Sequence, residues 1–285
     1  MSLKTETTES HMKQWKKIFF AGMLCVFAFV FATGCHTMQK EKTNQQTEKR
    51  SGKMDLDNIK HGIVFFTFDD RNFNGWLQAI PLFEKYNAHA TFMVSGEIDQ
   101  DTAQKIKTLQ EHGHSIGLHT KTHSDMPPFC REKSAEEYFS AEIAPQLEAS
   151  KKYGLEIRNF AYPNNARTDE TDAFLLKYFR KLRAGCGRTN GLDLTQHAPL
   201  FRSIDSLKTD HLMRGAGIGT YYNSSEEMLC RVLKRAAAEN LAVVFFSHNI
   251  APAAQHIHMP AEILENCLKL AQELGIKVAG FDEIP

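Results

Sequence analysis

The chain has 285 residues, 42% of them hydrophobic and 24% charged, the make-up of a chain that folds rather than one that stays disordered. Its 34 basic and 34 acidic side chains cancel, and no long basic run supplies the cation density that binding to nucleic acid draws on. With 17 Gly, 9 Pro and no internal repeat, collagen-like, low-complexity and solenoid architectures are excluded too.

At the N-terminus, Met12 to Lys17 carries three lysines, and Ile18 to Gly34 follows without a charge, ending in Ala32-Thr33-Gly34-Cys35. A positive segment, an apolar core and small residues before a cut site make a secretory signal, and Cys directly after Gly reads as a lipoprotein processing site. Residues 1–34 are therefore predicted to be a signal peptide, with residues 1–11 an extra stretch ahead of a second plausible start at Met12. A retained signal anchor is the alternative, although this apolar stretch is at the short edge of what spans a bilayer. Residues 35–54 are predicted to be a lipidated Cys35 and a flexible tether, since Gln39 to Lys53 offers no large apolar side chain to bury. The expected location is the bacterial cell envelope, with the protein held outside the cytoplasm by lipid. Without residues 1–34, which hold four Lys and two Glu, thirty basic and thirty-two acidic residues remain, so net charge does not select a substrate. Cys130, Cys186, Cys230 and Cys267 show no CxxC spacing and are expected as buried free thiols.

Residues 55–285 are long enough for one domain with a single core. Strands are predicted at 63–68, 91–94, 115–118, 159–162, 182–184, 241–247 and 277–280. Helices are predicted at 76–86, 101–112, 135–153, 169–181, 225–239 and 261–274, with Ser134 and Glu137 at the spacing of a capping box. Strands alternating with helices predict an α/β fold with right-handed crossovers and a mainly parallel sheet. About seven strands, some apolar throughout, suit a distorted (β/α) barrel, whose chemistry sits at the C-terminal ends of the strands.

Three of these strand ends carry ionisable groups: Thr67-Phe68 runs into Asp69-Asp70, Gly117-Leu118 into His119-Thr120-Lys121-Thr122-His123, and Phe246-Ser247 into His248. Two histidines four apart aim at one point if they share a helical turn, and one carboxylate completes a facial set for a divalent metal. Asp70 can supply that carboxylate. Adjacent residues of an extended strand point to opposite sides, which leaves Asp69 as a free carboxylate beside the metal, suited to general-base work on water. A lone Asp-Asp is more often a turn or a cap, and a lone HxxxH more often plain surface. Their order, followed by a late His after an apolar strand, is what singles them out.

In this combination Thr67-Phe68-Asp69-Asp70, His119 to His123 and Phe246-Ser247-His248 resemble the first, second and fifth motifs of the polysaccharide deacetylases, carbohydrate esterase family 4. The likeness runs over roughly residues 60–285. It implies a deformed (β/α) barrel, a divalent metal, usually zinc, on Asp70, His119 and His123, a catalytic base at Asp69 and a catalytic acid at His248. Phe160-Ala161-Tyr162-Pro163 is similar to the third motif, which implies an oxyanion contact from the backbone N–H of Tyr162; Asn164-Asn165 follows where an aromatic and Gly are common. The fourth motif, an Asp followed by Trp, has no clear counterpart, although Arg183, Arg202 and Asp205 lie in its interval.

The resemblance implies a hydrolase removing acetyl from N-acetylated sugars of a polysaccharide or oligosaccharide. A carbohydrate-binding lipoprotein that has lost turnover is the alternative suggested by the missing fourth motif; the retained Asp69 argues against it, because holding a metal needs only the other three residues. An amidohydrolase acting on small cyclic amides is disfavoured because Ile63 to Asp70 has no HxH. His112 and His114 precede a strand and are read as structural, His256 and His258 are left out of the site, and Trp76 and Phe73 are read as either sugar platforms or core anchors.

Overall fold

The computed structural model describes residues 53–187, 189, 191–252 and 258–285. The predicted signal peptide, Cys35, nearly all of the tether and His256 lie outside the described residues. No helix among the described residues is long and apolar enough to cross a membrane.

The strands in chain order are β1 (Ile63–Asp70), β2 (Thr91–Val94), β3 (Ser115–Leu118), β4 (Asn159–Ala161), β5 (Lys181–Gly185), β6 (Phe201–Ser203), β7 (Leu212–Gly217), β8 (Leu241–Ser247), β9 (Asn249–Ala251), β10 (His258–Pro260) and β11 (Lys277–Val278). Seven of them, β1, β2, β3, β4, β5, β7 and β8, form a parallel ring that closes by pairing β8 with β1. This is the distorted (β/α) barrel the sequence predicts, with one stave exchanged. The segment predicted at 277–280 is the short β11, which pairs only with Ile63 and Val64 at the start of β1. The seventh stave is β7, whose Leu-Met-Arg-Gly-Ala-Gly lacks the β-branched and aromatic residues that mark a strand in sequence.

Along β1 the period of two separates two cores. Ile63 and Phe65 pack with Met93, Ala161, Met213 and Val244 inside the barrel. Val64, Phe66 and Phe68 pack outward beneath the helices. Asp69 continues the inward series, so the C-terminal end of the barrel strands receives a carboxylate where the opposite end receives hydrocarbon. That closed end is plugged by Leu56, Phe281 and Ile284. It is also clasped by hydrogen bonds: Arg180 donates to the carbonyls of Phe281 and Ile284, Lys53 to those of Asp282 and Ile284, and the Met54 N–H to Glu283.

The surrounding helices are α1 (Phe73–Gln78), α2 (Ile80–Lys85), α3 (Gln100–Glu111), α4 (Met126–Glu132), α5 (Ala135–Tyr138), α6 (Ala144–Lys152), α7 (Asp169–Leu175), α8 (Glu226–Glu239) and α9 (Ala261–Leu274). The helix predicted at 76–86 is split at Ala79, with Pro81 in the first turn of the second piece. The helix predicted at 135–153 widens into a π turn over 139–143, because Pro145 cannot donate the bond that would continue the α ladder. Its predicted capping box is present, with Ser134 and Glu137 bonded reciprocally at 2.9 and 3.0 Å. The four cysteines of the domain are free thiols, Cys186 and Cys267 buried and the other two half-buried.

Candidate active site

The ends of β1, β3, β4, β5 and β8 and the loop after β7 enclose a cavity of about 260 Å³ lined by Asp69, Asp70, His119, His123, Tyr162, Asn164, Asn165, Arg183, Tyr222, Phe246 and His248. All six residues singled out by sequence are among them. Asp70 parts from Asp69 because its backbone adopts φ 81°, a left-handed conformation that turns its carboxylate onto the rim. Asp70 Oδ1 lies 3.8 Å from His119 Nε2 and 3.7 Å from His123 Nε2, and the three side chains bring ligand atoms within 4.8 Å of one another.

The two histidines do not share a helical turn, contrary to expectation. Residues 119–123 form a loop in which Thr120 and His123 take φ 64° and 61°, folding the second ring back to 4.9 Å from the first. The loop is held from outside by the π turn and α6. Glu142 accepts from the N–H and hydroxyl of Thr122 at 2.8 and 2.7 Å, and Gln146 donates to the carbonyls of Val94, Gly96 and Thr120. His119 Nδ1 bonds the carbonyl of Ala161 at 2.9 Å, which fixes the tautomer with Nε2 bare. Burial pushes His119 down to about 4, against the pull of Asp69, so it stays neutral as a ligand must. A bare imidazole nitrogen, a second imidazole and a carboxylate converging from one side fit a divalent ion with open positions.

Asp69 is buried, with Oδ2 bonded to the Arg183 guanidinium and Oδ1 left with no partner in the protein. Burial would raise its pKa, but Arg183, with His119 and His248, overcomes this and holds the carboxyl below its ordinary range. Arg183 is itself positioned by Asn165 Oδ1 at 2.6 Å and by the face of Phe246 at 4.7 Å. His248 lies across the cavity, with Nε2 3.9 Å from Asp70 Oδ2 and Nδ1 buried without a partner. Burial lowers its pKa, with the two aspartates opposing. The ring of Tyr222 lies nearly parallel to it, at 12° and 6.4 Å.

The sequence profile of the family described as polysaccharide deacetylase matches residues 57–179. That segment carries the Asp-Asp and HxxxH motifs just shown to converge. Residues 57–179 thus match the family that the motifs resemble, the polysaccharide deacetylases. Similar solved structures are the peptidoglycan deacetylase PdaC from Bacillus subtilis, 16% identical over 80% of this chain and 90% of that one at a TM-score of 0.51, and a CE4 family pseudoenzyme from Bacillus anthracis, 14% identical over 78% and 65% at 0.51. Both likenesses establish the deacetylase fold. Among curated proteins, the peptidoglycan-N-acetylmuramic acid deacetylase PdaA of Bacillus subtilis is 33% identical over 72 residues, which is 25% of this chain and 27% of PdaA. The chain thus spans about a quarter of that relative's length.

Against the deacetylase motifs the structure adds two observations. The Tyr162 N–H, expected at the oxyanion, donates instead to the carbonyl of Arg183 at 3.1 Å, as part of the pairing of the barrel strands, and the Tyr162 hydroxyl donates to Asp172 at 2.8 Å. Of the residues in the interval of the fourth motif, Arg202 pairs with Asp210 and Asp205 with Lys208, while Arg183 enters the site as the partner of Asp69. No carboxylate among the described residues bonds His248 Nδ1, and the wall beside its ring is Tyr222. Room for that tyrosine comes from Gly217, where a Cβ would stand 2.4 Å from its ring.

The residues excluded by sequence keep to their structural roles. His114 is buried and accepts the Ala90 N–H on Nδ1, His112 bonds Glu84, and His258 is buried beside Thr220. Trp76 and Phe73 are both buried, which removes them as sugar platforms. Sequence reasoning missed Tyr222, Glu142 and Gln146 outright and left Asn165 and Arg183 without a role. Only the unusual Arg in an otherwise apolar strand, Leu182-Arg183-Ala184, was a signal to be weighed.

Proposed function

We propose that the domain hydrolyses the amide of N-acetylated sugars in a polysaccharide or oligosaccharide, with a divalent metal, zinc being the expected ion, on Asp70, His119 and His123. The observation that carries this reading is Asp69: a buried carboxylate with one oxygen held by Arg183 and the other without a protein partner, beside a set of metal donors. Metal binding alone needs no such group. A bound ion would supply Lewis-acid polarisation of the acyl oxygen and of water. Asp69 Oδ1 accepts the proton of the attacking water, and Arg183 keeps that carboxylate ionised and fixed in direction. His248, on the opposite wall, gives a proton to the departing amine. Tyr222 and Phe246 narrow the cavity and exclude solvent around the reacting group.

The family and the name of the relative PdaA support an acetylated glycan as substrate, and the sequence of residues 12–35 supports lipid attachment at Cys35 in a bacterial envelope. The test is acetate release from a panel of N-acetylated glycans, chitooligosaccharides and peptidoglycan fragments included, by protein whose metal content has been measured. Release that disappears on chelation and returns with zinc is the expected result. The unpartnered Nδ1 of His248 and the pseudoenzyme among the structural neighbours favour a second reading, a glycan-binding barrel without turnover. Saturable glycan binding by metal-loaded protein with no acetate release would establish it and overturn the first.

A further inference from the structure

Trp76 is fully buried, its ring packed 5.2 Å from that of Phe73 and 5.0 Å from that of Phe92. Its one polar atom has a specific use. The indole N–H donates to the backbone carbonyl of His248 at 2.8 Å. The preceding residue, Gly75, makes this approach possible, since a Cβ there would stand 2.0 Å from Asn249 Oδ1 and 2.4 Å from the carbonyl of Ile250. Helix α1 is thus seated directly against residues 248–250, where the chain passes from β8 to β9.

His248 gains no orientation from a bond to its own Nδ1, which lacks a protein partner. Its ring direction is therefore set by the backbone beneath it and by the tyrosine beside it. We infer that Trp76 is a positioning residue for His248, acting through the carbonyl it holds; this rests on the reading of His248 as proton donor given above. Helix α1 starts three residues after Asp70, so the same short helix ties the strand end that carries the base to the residue that carries the acid. A fixed separation between those two groups is what a reaction needing both in one geometry requires.

The test uses Trp76→Phe and, as a variant of nearly unchanged shape, the full chain with tryptophan replaced by 3-benzothienylalanine, in which sulfur replaces the indole N–H. The chain's other tryptophan, Trp15, lies outside the barrel sequence, so one barrel position changes. Two readouts are taken on metal-loaded protein: kcat and KM for acetate release from chitopentaose, and the rate at which diethyl pyrocarbonate modifies His248 relative to the surface residue His112. The inference expects kcat to fall about tenfold with KM and metal content unchanged, and modification of His248 to speed up several-fold in both variants. It is overturned if the folded benzothienyl protein matches the parent in kcat and in His248 modification, or if the loss falls on KM alone. Should the parent itself release no acetate, the proposed function fails separately, and the modification rate decides the positioning role.

Discussion

Asp69 and Asp70 share a strand end but not a task, because one keeps the inward direction of the strand and the other leaves it through a left-handed φ. Asp69→Asn should keep its metal and lose about 10²- to 10⁴-fold in rate, the usual cost of a missing general base. Asp70→Asn should lose metal and rate together. Metal analysis and acetate release on both variants check this, and a reversed pattern would exchange the two roles. The ion pair behind Asp69 makes a prediction about stability. Arg183→Met leaves a buried carboxylate alone and should cost about 3 to 5 kcal/mol, most of which Asp69→Asn should restore in the double variant, as read by denaturant unfolding. His114 gives a dependence on pH. Burial first, with His89 and His112 adding and Glu283 opposing, pushes its folded pKa down to about 3, far below the ordinary histidine value. The unfolded chain therefore takes up a proton that the folded chain refuses. Stability is full above the unfolded value and falls as pH drops from about 6.5 toward 3, by at most ~1.4 kcal/mol per unit for one proton. Unfolding at stepped pH should show a shallower decline for His114→Gln.

At the scale of elements, the loop carrying His119 and His123, the proposed metal donors, depends on a distortion in a helix that does not touch the site. The π turn forced ahead of Pro145 places Glu142 under Thr122, and α6 sends Gln146 to three carbonyls around the same loop. Glu142→Ala should weaken metal binding by about 10- to 100-fold while Asp70, His119 and His123 remain, as metal titration would show. An unchanged affinity would mean that the loop holds its own shape. This is also where sequence reading reaches its limit. The strand ends with their aspartates and histidines are legible because ionisable groups interrupt apolar runs at period two. The loop bracing is not, because Glu142 and Gln146 look like ordinary polar faces of a helix until the π turn rotates them inward. The stave β7 is hidden for a related reason, since its glycines are chosen for what lies against them, Val244 and Tyr222, and not for strand propensity.

Over the whole molecule, the mainly parallel β/α architecture was readable from the alternation of strands and helices, but the closure of the barrel was not, because pairing of β8 with β1 joins segments some 180 residues apart whose partners no local pattern names. Lipid attachment remains a proposal from residues 12–35, with a direct test: Cys35→Ser should move the protein from the membrane to the soluble fraction, and an unmodified Cys35 in native membrane extracts would refute the anchor.

The clasp formed by Lys53, Met54 and Arg180 with residues 281–284 bears on how such an anchor would work. The chain joins the barrel at its plugged end, on the opposite side from Asp69 and His248. With lipid attached at Cys35 as proposed, the leash of 18 residues from there to Lys53 would span at most ~60 Å even fully extended, which bounds how far the barrel could stand from the membrane. Tension on the leash would pull first on Lys53 and Met54, and pass through the clasp into the starts of the strands. Asp69 and His248 stand at the far ends of those strands, so under the proposed function the groups that would handle substrate lie apart from the point where the anchor would pull.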